Sequence, residues 1–150
     1  MILPAVRDPR FVTIRRGGTL TGSDHHLLAL WAASCAEHVL DLFESARPGD
    51  ARPREAIEAA RAWVPGEVST MQTRAAGGQA GAVAHVAAHE LGAAAYAIKA
   101  VRAAASSGAG EAAGRAECRW QRDQLPAPIH DLVRDDQRLR NEICWSVFDC

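Results

Sequence analysis

Residues 77–98 read Gly77-Gly78-Gln79-Ala80-Gly81-Ala82-Val83-Ala84-His85-Val86-Ala87-Ala88-His89-Glu90-Leu91-Gly92-Ala93-Ala94-Ala95-Tyr96-Ala97-Ile98, with one formal charge, at Glu90. Past the glycine pair, Val83, Ala87, Leu91, Ala94, Ile98 and Val101 recur at helical spacing, and most residues between them are alanine. A helix apolar nearly all round belongs inside a bundle, with neighbours on several sides. The run is long enough to cross a bilayer. Its bulk, however, is alanine and glycine, and His85, His89 and Glu90 sit near its middle, where ionisable groups are costly in lipid. We therefore expect a buried helix of a soluble protein, with a joint at Gly77-Gly78.

Upstream, Thr21 or Ser23 can cap a helix running to about Ser45, with Asp24 in its first turn. Leu28, Trp31, Cys35, Val39, Leu42 and Ala46 form its apolar stripe, opposite Ser34, Glu37, His38, Asp41 and Glu44. Arg47-Pro48-Gly49-Asp50 ends it, and Pro53 suits the first turn of a second helix to Trp63. Helix resumes near Val68. Downstream, residues 106–110 form a loop, a helix opens at Glu111 and reaches about Gln124, and Pro126 and Pro128 break the chain. From Ile129 to Cys150 one or two helices carry Leu132, Leu139, Ile143, Trp145, Val147 and Phe148, too apolar a set to hang in water. The N-terminal residues differ: Arg10-Phe11-Val12-Thr13-Ile14-Arg15 alternates like a short strand, and Arg7, Arg10, Arg15 and Arg16 make a local basic patch. The expectation is an all-α protein. It has an extended arm over 1–22 and a helical domain over 23–150, a single bundle of about five to seven helices around the alanine-rich one.

Length and composition agree with one packed domain: 150 residues, 48% apolar and 23% charged. Thirty-one alanines favour closely packed helices, and 16 arginines against Lys99 alone reflect codon usage in a GC-rich genome. A formal charge of −1 gives no field that would commit the molecule to nucleic acid or an anionic membrane. The N-terminus lacks the uninterrupted apolar run of a secretory signal. Cys35, Cys118, Cys144 and Cys150 form no CxxC pair and read as free thiols of a cytoplasmic protein.

Catalytic signatures are absent from the string. His89-Glu90 begins an HExxH motif, but Ala93 stands where the second zinc ligand belongs. No GxSxG elbow, GxGxxG or GxxxxGK[ST] string occurs. His85 and His89, four apart, share a helical face with Tyr96 nearby, which leaves open a small-ligand, cofactor or metal site as the alternative to buried, hydrogen-bonded imidazoles. His25-His26 point too far apart for one ion, while His38 and His130 read as solvated, as do Asp135-Asp136 with Arg138 and Arg140. Arg119, Trp120 and Arg122 set an aromatic among cations and are candidate anchors for a partner. No cofactor and no metal is assigned.

Three strings together carry a resemblance: residues 28–37 (LALWAASCAE), residues 52–63 (RPREAIEAARAW) and residues 84–97 (AHVAAHELGAAAYA). From about residue 20 to 122 the chain resembles the small helical immunity proteins of bacterial polymorphic toxin systems. The resemblance implies a non-catalytic binder that neutralises a cognate protein toxin by occluding it; the near-neutral charge argues against a nucleic-acid partner, and no membrane partner is expected. A homodimer through a helical face or an exchanged arm stays open.

Overall fold

Thr21 starts the first helix. Its Oγ1 accepts the amide of Asp24 at 3.0 Å, satisfying one of the donors that a helix N-terminus leaves bare. The computed structural model describes residues 3–63, 83 and 86–150. Among these, six α-helices and no strand are found: α1 (Gly22–His38), α2 (Leu40–Ala46), α3 (Arg52–Ala62), α4 (Glu90–Ala104), α5 (Gly110–Asp123) and α6 (Ala127–Arg140). The all-α expectation holds. Pro53 and Pro128 occupy the first turns of α3 and α6, where a missing N–H costs nothing. The glycine pair at 77–78 and the helix expected from Val68 lie outside the described residues.

Helix α4 packs against α1 on one side and α5 on another, and α1 also meets α3. Small side chains allow this: Ala93, Ala94, Ala95 and Ala97 are buried beside Leu91 and Ile98. Leu28, Trp31 and Cys35 of α1, Cys118 of α5, and Ile129 and Val133 of α6 complete the same core. A second, smaller cluster of Ala33, Leu40, Ile57 and Ala60 joins α1, α2 and α3.

Several expectations need correction. The helix expected from residue 23 to 45 is two, broken at Val39 (φ −109°, ψ 6°), because a regular apolar spacing continues across a bend that periodicity does not register. The strand expected near Phe11 is a pair of 3-10 turns, Pro9–Phe11 and Ile14–Arg16, linked to Leu20 by backbone hydrogen bonds from Ile14 and to Val12. Phe11 and Leu20 are buried in the main core. Gly18 permits this fold-back, since a Cβ there would run into the Val12 carbonyl.

The segment after α6 docks through Cys144, Val147 and Phe148, as expected, while Leu139, Ile143 and Trp145 stay exposed. It is held by a disulfide, Cys118–Cys150, which overturns the reading of four free thiols; only Cys35 and Cys144 are free, both buried. Sequence spacing gave no hint, because the pair is 32 residues apart and meets only once α6 has doubled back. No described helix is long and apolar enough to cross a membrane.

Candidate functional site

The expected histidine face cannot be followed as a pair, because one of its two rings falls outside the described residues. His85 lies outside the described residues; Val86 is extended (φ −140°, ψ 109°), and Ala87–His89 is a 3-10 turn that precedes α4. His89 is half-buried, whereas Tyr96, two turns into α4, is about half exposed. Among the described residues no three His, Cys, Asp or Glu side chains come together as a metal-binding group.

Other polar groups are gathered instead. Arg140 and Asp136, expected on a solvated helix end, are buried with Glu90. The Arg140 guanidinium donates to Asp136 Oδ1 at 2.8 Å, to Glu90 Oε1 at 2.7 Å and to the Ala88 carbonyl at 2.8 Å, tying α6 to the start of α4. Burial pushes the Glu90 carboxyl well above its ordinary range; Arg140 offsets part of this and Asp136 adds to it. Asp135 pairs with Arg10 and Arg138, so the basic patch of the N-terminal residues is partly neutralised.

His38 is exposed, as expected, but it is not without partners. Its Nδ1 lies 2.7 Å from the buried Glu117 carboxylate, and its ring stacks on Trp120 with centroids 3.5 Å apart. Gln121 donates to Glu117 at 2.8 Å and accepts Trp31 Nε1–H on its carbonyl at 2.8 Å, linking α1, α4 and α5. His25 donates through Nε2 to the Val83 carbonyl at 2.7 Å, and burial holds its pKa below the usual value. His130 lies in α6, beside Asp131.

Arg119, Trp120 and Arg122, expected as partner-facing anchors, are placed differently from one another. Arg119 is exposed. Trp120 is half-buried under His38. Arg122 donates to the carbonyls of Cys150 and Phe148 at 2.6 and 2.7 Å and to Gln137 at 3.0 Å, clamping the C-terminal segment.

An open groove of about 730 Å³ lies between α2, α3 and α4, a volume within the range of ligand and side-chain sites. Leu42 and Phe43 form one wall, Tyr96 stands on the other, and Ala93 and Ala97 make the floor. The break at Val39 is what turns α2 across α4. Beyond Tyr96 stands Trp145, their rings edge to face at 5.2 Å, with Lys99 Nζ 3.9 Å above the indole. Tyr96 and Trp145 are 49% and 43% exposed, unusual for aromatics already in contact. Trp145 and Ser146 both hold left-handed backbone (φ 59° and 52°), a conformation L-residues resist and one that gathers at sites of function. Sequence reasoning found Tyr96 but not Leu42, Phe43, Lys99 or Trp145. Leu42 and Trp145 were assigned to the core because they are large and apolar. The one available signal was Tyr96 and the single lysine, three apart on a helix.

The fold and this face define a small all-helical protein with an open, mainly apolar groove between three of its helices. The chain matches the family model described as "Imm-5 like putative immunity protein" over residues 18–78 and 75–128, and belongs to that family. No curated protein and no solved structure matches it.

Proposed function

We propose that this protein neutralises a cognate bacterial toxin of a polymorphic toxin system by binding it and covering its active site or substrate path, without chemistry of its own. Membership of the immunity family carries the reading. The groove with its exposed Tyr96 and Trp145 supports it, because binding hot spots are rich in tyrosine and tryptophan set beside apolar pockets. Such a protein needs rigidity and a complementary face of roughly 800 Å² per partner.

Co-expression tests it. The toxin module encoded by the adjacent gene should kill host cells alone and spare them when this protein is supplied. Unchanged killing would refute the role.

The compartment is part of the proposal. A cytoplasmic setting was expected, but the Cys118–Cys150 bond weighs toward an oxidising one, since structural disulfides seldom persist among cytosolic reductants.

A second reading, a small ligand held near His85, His89 and Tyr96, draws support from Tyr96, which lines a groove of ligand size. A ligand specific to the native state would raise its melting temperature.

A further inference from the structure

We infer that the fold-back ahead of α1 is a contact surface that seats Ile14, Arg15 and Arg16 on an acidic face of the toxin protein. The inference rests on the immunity reading and adds to it a surface and a partner chemistry. Three observations carry it.

The first is positive charge that the chain itself leaves uncompensated. Residues 1–22 hold four arginines and one aspartate, a formal +3, whereas residues 23–150 hold 13 basic and 17 acidic residues, a formal −4. A molecule of net charge −1 is thus polarised, with its positive pole at the fold-back. Arg10 is engaged within the protein, by Asp8 and by Asp135 of α6. Arg7, Arg15 and Arg16 are exposed, and none makes an ion pair or a side-chain hydrogen bond with another described residue. The nearest acids along the chain are Asp8, which Arg10 holds, and Asp24, on the first turn of α1. Arg16 stands close enough to His25 of that turn to help hold the imidazole's pKa down; the other charge felt there is His26, and no carboxylate opposes them.

Preorganisation is the second. Ile14, Arg15 and Arg16 form a 3-10 turn that Gly17 closes in left-handed backbone (φ 86°). Backbone hydrogen bonds of 3.1 Å join Ile14 to Leu20, Gly18 to Thr13 and Thr19 to Pro9. Phe11 and Leu20 root the turn in the main core, and the Arg10–Asp135 pair at 2.7 Å fastens it to α6. A surface fixed before binding loses little freedom on complex formation.

The third is the make-up of the exposed side chains, which selects the class of partner. Ile14 is 62% exposed beside two guanidinium groups, whose planar forks match carboxylates two bonds at a time. Arginine is also a favoured anchor at the centre of protein interfaces. Nucleic acid is a poorer fit: Phe11, the one aromatic of residues 1–22, is buried and cannot stack on a base, and the −4 on the rest of the molecule repels a long polyanion. A bilayer is a poorer fit too, since Val6 and Ile14 are the only large aliphatic side chains exposed among the described residues of the fold-back.

The test uses the intact protein and a catalytically inactivated toxin domain from the adjacent gene. Binding is followed by calorimetry and by association rate, and melting confirms that each variant folds. Arg15→Glu combined with Arg16→Glu should weaken binding about tenfold or more, chiefly through slower association, and should flatten the fall of affinity with salt. Ile14→Ser should weaken it severalfold with the salt dependence kept. Arg47→Glu, a reversal at an exposed arginine after α2, should change it less than about twofold. Wild-type affinity retained by the Arg15 and Arg16 reversal would overturn the inference and leave the immunity reading intact; so would a loss of equal size in Arg47→Glu. Absence of wild-type binding would remove both. The wild-type protein is also offered a labelled DNA or RNA duplex and vesicles of phosphatidylserine and phosphatidylcholine. Binding to either that the same reversal abolishes would give the pole to that partner and overturn the inference.

Discussion

Trp145 and Ser146 sit side by side with positive φ, each at a cost of about 1–2 kcal/mol for an L-residue. Ser146→Gly should therefore raise the stability of the folded chain by up to about 1 kcal/mol, the relief of strain exceeding the extra freedom glycine gains when unfolded. Ser146→Val should lower it; chemical denaturation reads both. Glu90 gives a second prediction. Its folded pKa lies above the unfolded value of 4.5, so the fold prefers the protonated form. The stability it contributes is complete below pH 4.5 and is lost as pH rises through the folded value. Glu90→Gln removes that titration. Relative to wild type, the variant should gain stability between pH 5 and pH 8, measured by urea midpoints; parallel curves would contradict the assignment.

At the scale of elements, the C-terminal segment depends on its tether. Closing a loop of 32 residues restricts the unfolded chain by about 3–4 kcal/mol on the chain-entropy account. Mild reductant, or Cys150→Ser, should lower stability by about that amount and loosen the docking of Val147 and Phe148. If the segment also presents Trp145, toxin affinity should fall with it. Thiol trapping in freshly lysed cells locates the bond: two reactive cysteines in the denatured chain mean an oxidising compartment, and four mean the cytoplasm.

What could be read from the string also divides at this scale. Helix starts were legible where capping is local, with Thr21 before Asp24 and Pro53 in a first turn, whereas Pro128, read as a break, lies in the first turn of α6. The bend at Val39 was not, since Cys35, Val39, Leu42 and Ala46 keep one spacing through it. Nor were the pairings of His38 with Glu117 and of Glu90 with Arg140, because the partners lie 79 and 50 residues apart and only tertiary packing brings them together. The aromatic rim was hidden for a different reason: a large apolar residue is assigned to the core unless something marks it as exposed, and at Trp145 the mark is a backbone conformation that the sequence does not announce.

For the molecule as a whole, close helix approach depends on alanine. Ala94 is fully buried, and its carbonyl accepts a hydrogen bond from Gln121 at 3.2 Å. Ala94→Leu should cost about 1–3 kcal/mol or more by overpacking, seen as a lower melting temperature, while the exposed Leu139→Ser should be nearly neutral. On the proposed binding role, protection should follow stoichiometry and not turnover. The decisive measurement is a titration of toxin activity with purified protein, followed by mass analysis of the recovered toxin. Inhibition should reach completion at a fixed molar ratio, reverse on separation, and leave the toxin mass unchanged. Inactivation by a catalytic amount of this protein, or a toxin altered in mass, would contradict the account.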